Sequence, residues 1–170
     1  MVGSSAHVLI LGMTMSGKST LAKSLVRQYQ AAGIKCGVLD PLNDPGWRAD
    51  FQTSDPDEFL RRFWLSERCA WFIDEAGESV GRFDLAMMKT ATRGRHLGHR
   101  VHYVSQRGTQ INRTVRDQCS SLFLFTTSLE DSKVHANEWN KPELRDACSL
   151  PQGHYFYTDR FSPLVRAALW

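Results

Sequence analysis

Short apolar runs alternate with stretches of helical periodicity along this chain. His7–Leu11 is a run of strand-forming residues, and a glycine-rich segment follows it directly. Within residues 19–32 the apolar positions recur at helical spacing, and Gly33 stands where a helix-ending glycine belongs. The pattern predicts a strand, a loop and then a helix.

The same alternation continues toward the C-terminus. Further strands are predicted at residues 35–40, 69–75, 101–106, 121–126 and, at an edge, 153–158, with helices at residues 56–68 and 83–92. Phe59, Phe63 and Trp64 fall on one side of the first of these helices. Strands that alternate with helices form a mainly parallel sheet covered by its crossovers, so we expect an α/β fold.

Composition limits this picture further. With 170 residues and a hydrophobic fraction of 42%, the chain can bury one substantial core. We expect a single domain over residues 1–170, in which residues 127–170 are an extension and residues 1–6 a disordered or tag-derived start. The net charge of +3 is too small to require a polyanionic partner, so the basic residues must be judged by position.

The cysteines and the hydropathy pattern bear on the compartment. Cys36, Cys69, Cys119 and Cys148 are widely spaced, and no Cys/His group has the spacing of a zinc site. We expect four reduced thiols, which suits a reducing compartment. No apolar run approaches the length of a membrane span, and the start lacks a signal-peptide pattern. These features predict a soluble cytoplasmic protein without a transmembrane segment.

The glycine-rich segment at residues 12–19 matches GxxxxGK[ST], the P-loop or Walker A motif. Its glycines let backbone amides turn toward the phosphates of a nucleotide, Lys18 reaches the β- and γ-phosphates, and Ser19 offers its hydroxyl to Mg²⁺. The predicted nucleotide-binding residues are Gly12, Met13, Thr14, Met15, Ser16, Gly17, Lys18, Ser19 and Thr20. The last of these either supports the loop or is an ordinary residue of the helix that follows.

Two carboxylates and one amide are candidates for the catalytic step. Asp74 and Glu75 end an apolar strand, as in a Walker B pair: Asp74 would hold the Mg²⁺ shell, and Glu75 would polarise the attacking water. The alternative is that both acids only begin a solvated loop. Gln106 ends the next predicted strand, where motor-type ATPases carry a polar residue close to the γ-phosphate. Ser105 is a second candidate, and a glutamine without a catalytic role is the alternative.

A family resemblance rests on these motifs together. The segment TRGRHLGHRVHYVSQR at residues 92–107, with the GMTMSGKS loop and the FIDEA strand end, resembles the FtsK/HerA superfamily of ATP-driven DNA motors. Within it, the chain is most similar to the small genome-packaging ATPases of tailless, often membrane-containing viruses. Those proteins share an Arg-Gly-Arg-His stretch, a strand ending Ser/Thr-Gln-Arg and an Ile-Asn segment like the one at residues 111–112. The likeness runs from about residue 7 to residue 125.

The resemblance implies a RecA-like sheet with strand order 5-1-4-3-2, ATP and Mg²⁺ as cofactors, and a homo-oligomeric ring of five or six subunits. The nucleotide would lie between subunits, and Arg93 or Arg95 of one subunit would complete its neighbour's site. A solvated basic turn is the alternative for this pair. The resemblance also implies capsid or portal-vertex partners and a location in the host cytoplasm or at the packaging vertex of a virion.

Nucleic-acid contacts are expected on the loops that follow the predicted strands at residues 69–75 and 101–106, because such loops face the channel of a RecA-like ring. The candidate phosphate contacts are Arg82, Arg107, Arg113 and Arg116. The alternative is that these arginines pair with local acids such as Asp84 and Asp117, or only solvate the surface. One departure from the family pattern is Gly108, where proline is common, and it puts the conformation of that loop in question.

Three functions fit the residues. The first is a double-stranded DNA translocase, most specifically a viral genome-packaging ATPase; 170 residues leave no room for a nuclease domain. The second is a small P-loop kinase that phosphorylates a metabolite, against which the water-activating Glu75 argues. The third is a nucleotide-gated assembly or secretion factor, against which the Arg93/Arg95 pair argues.

Overall fold

A computed structural model of the chain describes residues 6–79 and 84–170. The helices are α1 (Lys18–Ala31), α2 (Pro56–Trp64), α3 (Ala76–Ser79), α4 (Leu85–Arg93), α5 (Arg113–Gln118) and α6 (Leu129–Trp139). The strands are β1 (His7–Leu11), β2 (Cys36–Leu39), β3 (Phe51–Thr53), β4 (Ala70–Ile73), β5 (Arg100–Ser105), β6 (Cys119–Phe125), β7 (His154–Asp159) and β8 (Val165–Ala168). Short 3₁₀ helices occupy Pro45–Trp47, Gly94–Leu97, Gly108–Gln110 and Pro142–Ser149.

All eight strands belong to one sheet of order β3-β2-β4-β5-β1-β6-β7-β8. The pairs from β3 to β6 are parallel, and β7 and β8 add to the β6 edge in antiparallel orientation. The expected α/β fold with a mainly parallel sheet is therefore confirmed. Because the parallel strands point the same way, the ends of β1, β4, β5 and β6 lie along one edge of the sheet, and this edge holds the site described below.

The sheet is wider than the sequence pattern predicts, by one strand at each edge. Strand β3 has three residues, too few for a recognisable alternation of apolar and polar positions. Strand β8 is largely exposed, so its sequence carries no buried face. Neither strand has the apolar signal on which the prediction of strands depends.

Two hydrophobic layers cover the sheet, and β1 contributes to both. Its alternate residues Leu9 and Leu11 join the layer beneath α2, α4, α5 and α6, whereas Val8 and Ile10 join the layer beneath α1. All five residues of β1 are buried, as expected for a central parallel strand. This burial fixes the position of the loop that leaves its carboxyl end.

Helix α2 ends four residues earlier than the helix predicted at residues 56–68. Its last carbonyls find partners outside the helix: the Ser66 hydroxyl donates to Phe63 O at 3.1 Å, and the His99 ring contacts the same oxygen at 3.0 Å. The expectation that Trp64 shares the packed side with Phe59 and Phe63 is wrong, because Trp64 is 38% exposed while both phenylalanines are fully buried.

Helices α5 and α6 were not anticipated. Asn112 caps α5, where its side chain accepts from Thr114 N, and Ser128 caps α6, where its hydroxyl accepts from Asp131 N. The hydrophobic periodicity of the sequence does not reveal helix α6, because most of the residues on its buried face are polar. The buried residues of α6 are Asp131, Ser132, His135, Ala136 and Trp139.

The four cysteines are free, and no helix of the described residues is long and apolar enough to span a bilayer. Phe83, where the helix at residues 83–92 was predicted to begin, lies outside the described residues. The described part of that helix runs from Leu85 to Arg93 and is capped by Asp84, whose side chain accepts from Met87 N.

Candidate nucleotide-binding site

The predicted phosphate loop connects β1 to α1 at the carboxyl edge of the sheet. Gly12 N donates to Ser105 O at 3.3 Å, and Met13 N donates to Thr126 O at 2.8 Å. These two bonds tie the start of the loop to the ends of the strands on both sides of β1. The loop then passes into α1, which begins at Lys18, so the amino end of a 14-residue helix faces the loop.

At both motif glycines, the backbone conformation and the lack of space for a Cβ atom require glycine. Gly12 and Gly17 have φ angles of +151° and +116°, which favour glycine. A Cβ on Gly12 would lie 2.6 Å from Cβ of Phe125, and one on Gly17 would lie 2.9 Å from Cδ1 of Leu169. The loop is therefore packed tightly against β6 and the C-terminal segment.

The C-terminal segment braces the middle of the loop, which the sequence analysis did not foresee. The Gln152 side chain donates to Met15 O at 2.9 Å, and Gly153 N donates to Ser16 O at 3.0 Å. These contacts join residues more than 130 positions apart. No local sequence signal could have identified them.

Lys18 and the two predicted catalytic carboxylates are brought together. The Lys18 side chain is buried and its Nζ donates to Met13 O at 2.9 Å, so it reaches back across the loop. Burial lowers the pKa of Lys18, and the nearby charges of Glu75 and Asp74 oppose that shift. The lysine therefore lies within electrostatic range of both carboxylates.

Asp74 and Glu75 follow β4 directly. Asp74 N donates to Leu39 O at 2.9 Å, which continues the pairing with β2, and Glu75 N donates to Asp74 Oδ1 at 3.0 Å. Burial, together with the charges of Glu75 and Asp40, raises the pKa of Asp74 to about 6. Glu75 has a φ of +49°, a left-handed conformation that costs about 1–2 kcal/mol for an L-residue. Such strain is common where a side chain is aimed for function.

The donor set suits a magnesium ion that arrives with its nucleotide. Among the described residues, no group of three or more His, Cys, Asp or Glu side chains could hold a metal ion alone. Mg²⁺ usually takes one or two protein oxygens and completes its shell with water and substrate phosphates. Ser19, exposed in the first turn of α1, and Asp74, with its burial-raised pKa, are the residues that would supply those oxygens.

Gln106 borders the phosphate loop. It is exposed directly after β5 and lines a cavity of about 420 Å³ together with Met13 and Thr14 of the loop. Ser105 is buried, and its hydroxyl donates to Arg107 O at 3.2 Å. Of the two predicted candidates, Gln106 is therefore the one that lines the cavity.

Arg93 and Arg95 lie at the other end of the sheet. Both are exposed and precede β5, whose six residues span about 20 Å at the usual rise of a strand. Arg95 also donates from Nη2 to Gln118 O at 2.6 Å. Neither arginine is near the phosphate loop of its own chain.

The arginines predicted to contact nucleic acid differ in their surroundings. Arg82 lies outside the described residues. Arg113 is 83% exposed and pairs with Asp117 at 3.7 Å, as the alternative in the sequence analysis proposed. Arg107 forms an ion pair with Asp131 and lines the cavity beside the phosphate loop.

Arg116 is a structural residue in this fold, contrary to the expected DNA contact. Its side chain is only 12% exposed and pairs with Glu138 at 2.6 Å. It also donates from Nη1 to Ile111 O at 2.6 Å and to Gly108 O at 3.2 Å. With its guanidinium used inside the molecule, Arg116 is not available to a DNA backbone.

The fold and the loop define the class, a P-loop NTPase with a RecA-like α/β sheet. No protein-family model and no curated protein sequence matches the chain. Solved structures do match, and the genome packaging NTPase B204 from Sulfolobus turreted icosahedral virus 2, in complex with AMPPCP, superposes with a TM-score of 0.80. Its sequence identity is 18% over 95% of each chain. The expected resemblance to this group of ATPases is confirmed for the fold.

Two further similar structures belong to proteins of conjugation and of secretion. The pCW3 conjugation coupling protein TcpA, with ATPγS, has a TM-score of 0.74 at 15% identity, over 96% of this chain and 59% of that one. The Type VII secretion ATPase EccC of Thermomonospora curvata has a TM-score of 0.71 at 18% identity, over 96% of this chain and 25% of that one. The chain thus corresponds in length to B204 and to a part of the other two.

Proposed function

We propose that this chain is the ATP-hydrolysing subunit of a double-stranded DNA translocase and, most specifically, of a viral genome-packaging motor. The observation that carries the proposal is the meeting of three groups at one sheet edge: the phosphate loop, the Asp74–Glu75 pair beside Lys18, and Gln106 on the cavity next to the loop. The likeness to a packaging NTPase and to a conjugation coupling protein supports the DNA-related part.

Each residue has a role in this proposal. The loop amides and Lys18 would bind the phosphates of ATP, and Ser19 and Asp74 would hold Mg²⁺, which would supply positive charge beside the phosphates. Glu75 accepts a proton from the attacking water, and Gln106 contacts the γ-phosphate side of the site. The charge of Glu75 acts on Lys18 of the phosphate loop, which suits a role of its carboxylate at the phosphates.

The proposed assembly is a homo-oligomeric ring of five or six subunits, each a single ATPase domain. Arg93 or Arg95 would act only on a neighbour's nucleotide, because both lie at the sheet end opposite their own phosphate loop. Of the two, Arg93 is the better candidate, since Arg95 already donates to Gln118 O. The ring would dock on capsid or portal-vertex proteins, in the host cytoplasm or on the virion.

The DNA contacts proposed for this ring are fewer than the sequence suggested. Among the candidates that the structure describes, Arg113 is the best exposed, and its ion-pair partner is itself exposed. Arg82 keeps its place in the proposal on sequence grounds alone. Contacts of this kind would be independent of base sequence and weakened by salt.

A second function has a specific observation in its favour. The structural likeness to a secretion ATPase supports a nucleotide-driven assembly or secretion factor. The DNA translocase is preferred because B204, a packaging NTPase, matches this chain along 95% of both lengths, whereas EccC matches over 25% of its own.

The test is the ATPase rate of the purified protein with and without double-stranded DNA, for wild type, Lys18→Ala and Glu75→Gln. We expect DNA to stimulate the wild type and both variants to lose turnover, with Glu75→Gln still binding ATP. Lys133→Ala, at an exposed site on α6, is the matched control and should behave as wild type. Turnover insensitive to DNA would favour the secretion-type factor, and ADP release dependent on a metabolite would favour a kinase.

A further inference from the structure

The cavity beside the phosphate loop contains an arginine to which the proposed mechanism gives no task. Arg107 follows Gln106 and lines the same cavity of about 420 Å³ as Met13 and Thr14. Glu130 and Asp131, in the first turn of helix α6, line this cavity as well. A cation therefore lies in the space that adjoins the phosphate-binding backbone.

Asp131 holds this arginine from one side. Arg107 Nε donates to Asp131 Oδ2 at 2.9 Å, and Nη2 donates to Oδ1 at 3.1 Å, so the pair is bidentate. The Asp131 side chain is 4% exposed, while that of Arg107 is 53% exposed. The Thr109 hydroxyl also donates to Asp131 Oδ1 at 3.4 Å. The carboxylate is thus the fixed member of the pair, and the guanidinium is its solvent-facing member.

The pair leaves Arg107 with hydrogen-bonding capacity. A guanidinium has five N–H donors, of which Asp131 takes two. Among the residues that the structure describes, no other acceptor takes a hydrogen bond from this side chain. The planar fork that remains matches the oxygens of a phosphoryl group.

The charges of the cavity decide between a nucleotide phosphate and a DNA backbone. Arg107 is the one cationic side chain among the described residues that line it, and it faces Glu130 and Asp131. Hydrogen bonds and charge from Asp131, with the charge of Glu130, raise the pKa of Arg107. A DNA strand that ran through the cavity would lie against both carboxylates. The terminal phosphoryl group of a nucleotide, already held by the loop amides, would need to contact only Arg107.

We propose that Arg107 binds the terminal phosphoryl group of ATP in its own subunit, and that Asp131 is the positioning residue that holds its guanidinium at the cavity. The inference rests on the proposed ATPase function and adds to it a cis-acting residue. It also moves Arg107 from the predicted DNA surface to the nucleotide site. Because ADP lacks the terminal phosphoryl group, the contact would distinguish ATP from ADP.

The experiment is calorimetric titration of full-length protein with Mg²⁺ and either ADP or a non-hydrolysable ATP analogue. Arg107→Gln should weaken analogue binding by about 10- to 100-fold, the range for a charge-assisted hydrogen bond, and leave ADP binding unchanged. Arg107→Lys should retain part of the preference because it keeps the charge and loses the fork. Asp131→Asn should lower the analogue-to-ADP preference by a smaller factor with Arg107 still present.

Controls separate the possible outcomes. Arg145→Gln removes the same charge at an exposed site on the 3₁₀ helix Pro142–Ser149 and should leave the preference unchanged. An unchanged preference in Arg107→Gln would overturn the proposal, as would an equal loss of analogue and ADP binding. A preference kept alongside weaker binding to a fluorescent duplex would return Arg107 to the DNA surface. If the wild type bound neither nucleotide, the ATPase function itself would fall, a result distinct from these.

Discussion

Gly108 lies against the buried ring of His135: a Cβ added to the glycine would be 2.4 Å from Cε1 of the histidine. Cδ1 of Leu11 would lie 2.6 Å from the same position. The loop after β5 therefore packs on α6 and on the end of β1 without room for a side chain. Any residue with a Cβ, proline included, would meet these atoms, which gives a physical reason for the glycine that departs from the family pattern.

Gly108→Ala should lower the free energy of unfolding by about 1–3 kcal/mol, the usual cost of overpacking a filled site. The measurement is urea denaturation of the wild type and the variant. In a His135→Ala background the substitution should cost less, because the nearest of the two clashing groups is gone. Equal costs in both backgrounds would contradict the assigned contact.

The site elements that could be predicted carry their signals in adjacent residues. The phosphate loop is read from the spacing of Gly12, Gly17 and Lys18, and Asp74 with Glu75 ends a buried apolar run. Parallel strands then bring these ends to one edge without further information. The class of fold and the neighbourhood of the loop were therefore predictable from short stretches of sequence.

The remaining contacts depend on residues that are distant in the chain. Arg107 meets Asp131 across 24 positions, and Gln152 reaches Met15 across 137. Periodicity reports which face of a helix is apolar, so it could not reveal α6, whose buried face includes Asp131 itself. The intramolecular ion pair of Arg116 could not be foreseen for the same reason, because its partner Glu138 lies on that helix.

Arg116→Gln should destabilise the fold, whereas Arg113→Gln should not. Removing the Arg116 guanidinium leaves the half-buried Glu138 carboxylate and the Ile111 carbonyl without this partner, which should cost about 3 kcal/mol or more. Arg113 is exposed, and its i,i+4 ion pair contributes less than about 0.5 kcal/mol. Chemical denaturation of the two variants measures both.

The same two variants, Arg113→Gln and Arg116→Gln, should also be compared in DNA binding. Filter binding at two salt concentrations should give a weaker complex and a smaller salt dependence for Arg113→Gln. A stable Arg116→Gln protein with selectively weakened DNA binding would contradict the structural role given to that residue.

His102 should make the protein less stable in acid. Burial, together with the charges of Arg100 and His7, lowers its pKa from 6.5 to about 3, against the opposing effect of the hydrogen-bonded Trp71 carbonyl. The unfolded chain takes up a proton below pH 6.5, but the folded protein resists it until pH 3. Stability from this group is therefore present above pH 6.5 and is lost as the pH falls, by about 3 kcal/mol at pH 4.

Urea denaturation between pH 4 and pH 7 checks this expectation. His102→Gln should flatten the pH dependence, even though loss of the bond to the Tyr29 hydroxyl lowers stability at every pH. His96→Gln, at an exposed site, is the control and should keep the slope of the wild type. A slope for His102→Gln equal to that of the wild type would show that other groups control the acid sensitivity.

Mixed assemblies should reveal whether an arginine acts on a neighbour's nucleotide. Arg93 and Arg95 lie about one strand length, roughly 20 Å, from the sheet edge that holds their own phosphate loop. Lys18→Ala and Arg93→Ala subunits should each be inactive alone, because one lacks the loop lysine and the other lacks the arginine. In a ring of head-to-tail contacts, an Arg93→Ala subunit still has an intact phosphate loop. When its neighbour is a Lys18→Ala subunit, that neighbour supplies an intact Arg93 to the loop.

Random mixing at equal amounts makes about a quarter of the interfaces complete, so DNA-stimulated ATPase activity should rise to at most about that fraction of the wild-type rate. A mixture of Lys18→Ala and Arg95→Ala subunits should gain less ATPase activity over the average of the two unmixed variants, since Arg95 is engaged with Gln118 O. Activity equal to the average of the two parents would mean that the arginine acts within its own subunit or not at all. If activity were recovered in the mixture with Arg95→Ala but not in the mixture with Arg93→Ala, Arg95 would be the trans-acting residue. Its hydrogen bond to Gln118 O would then have to break in the ring.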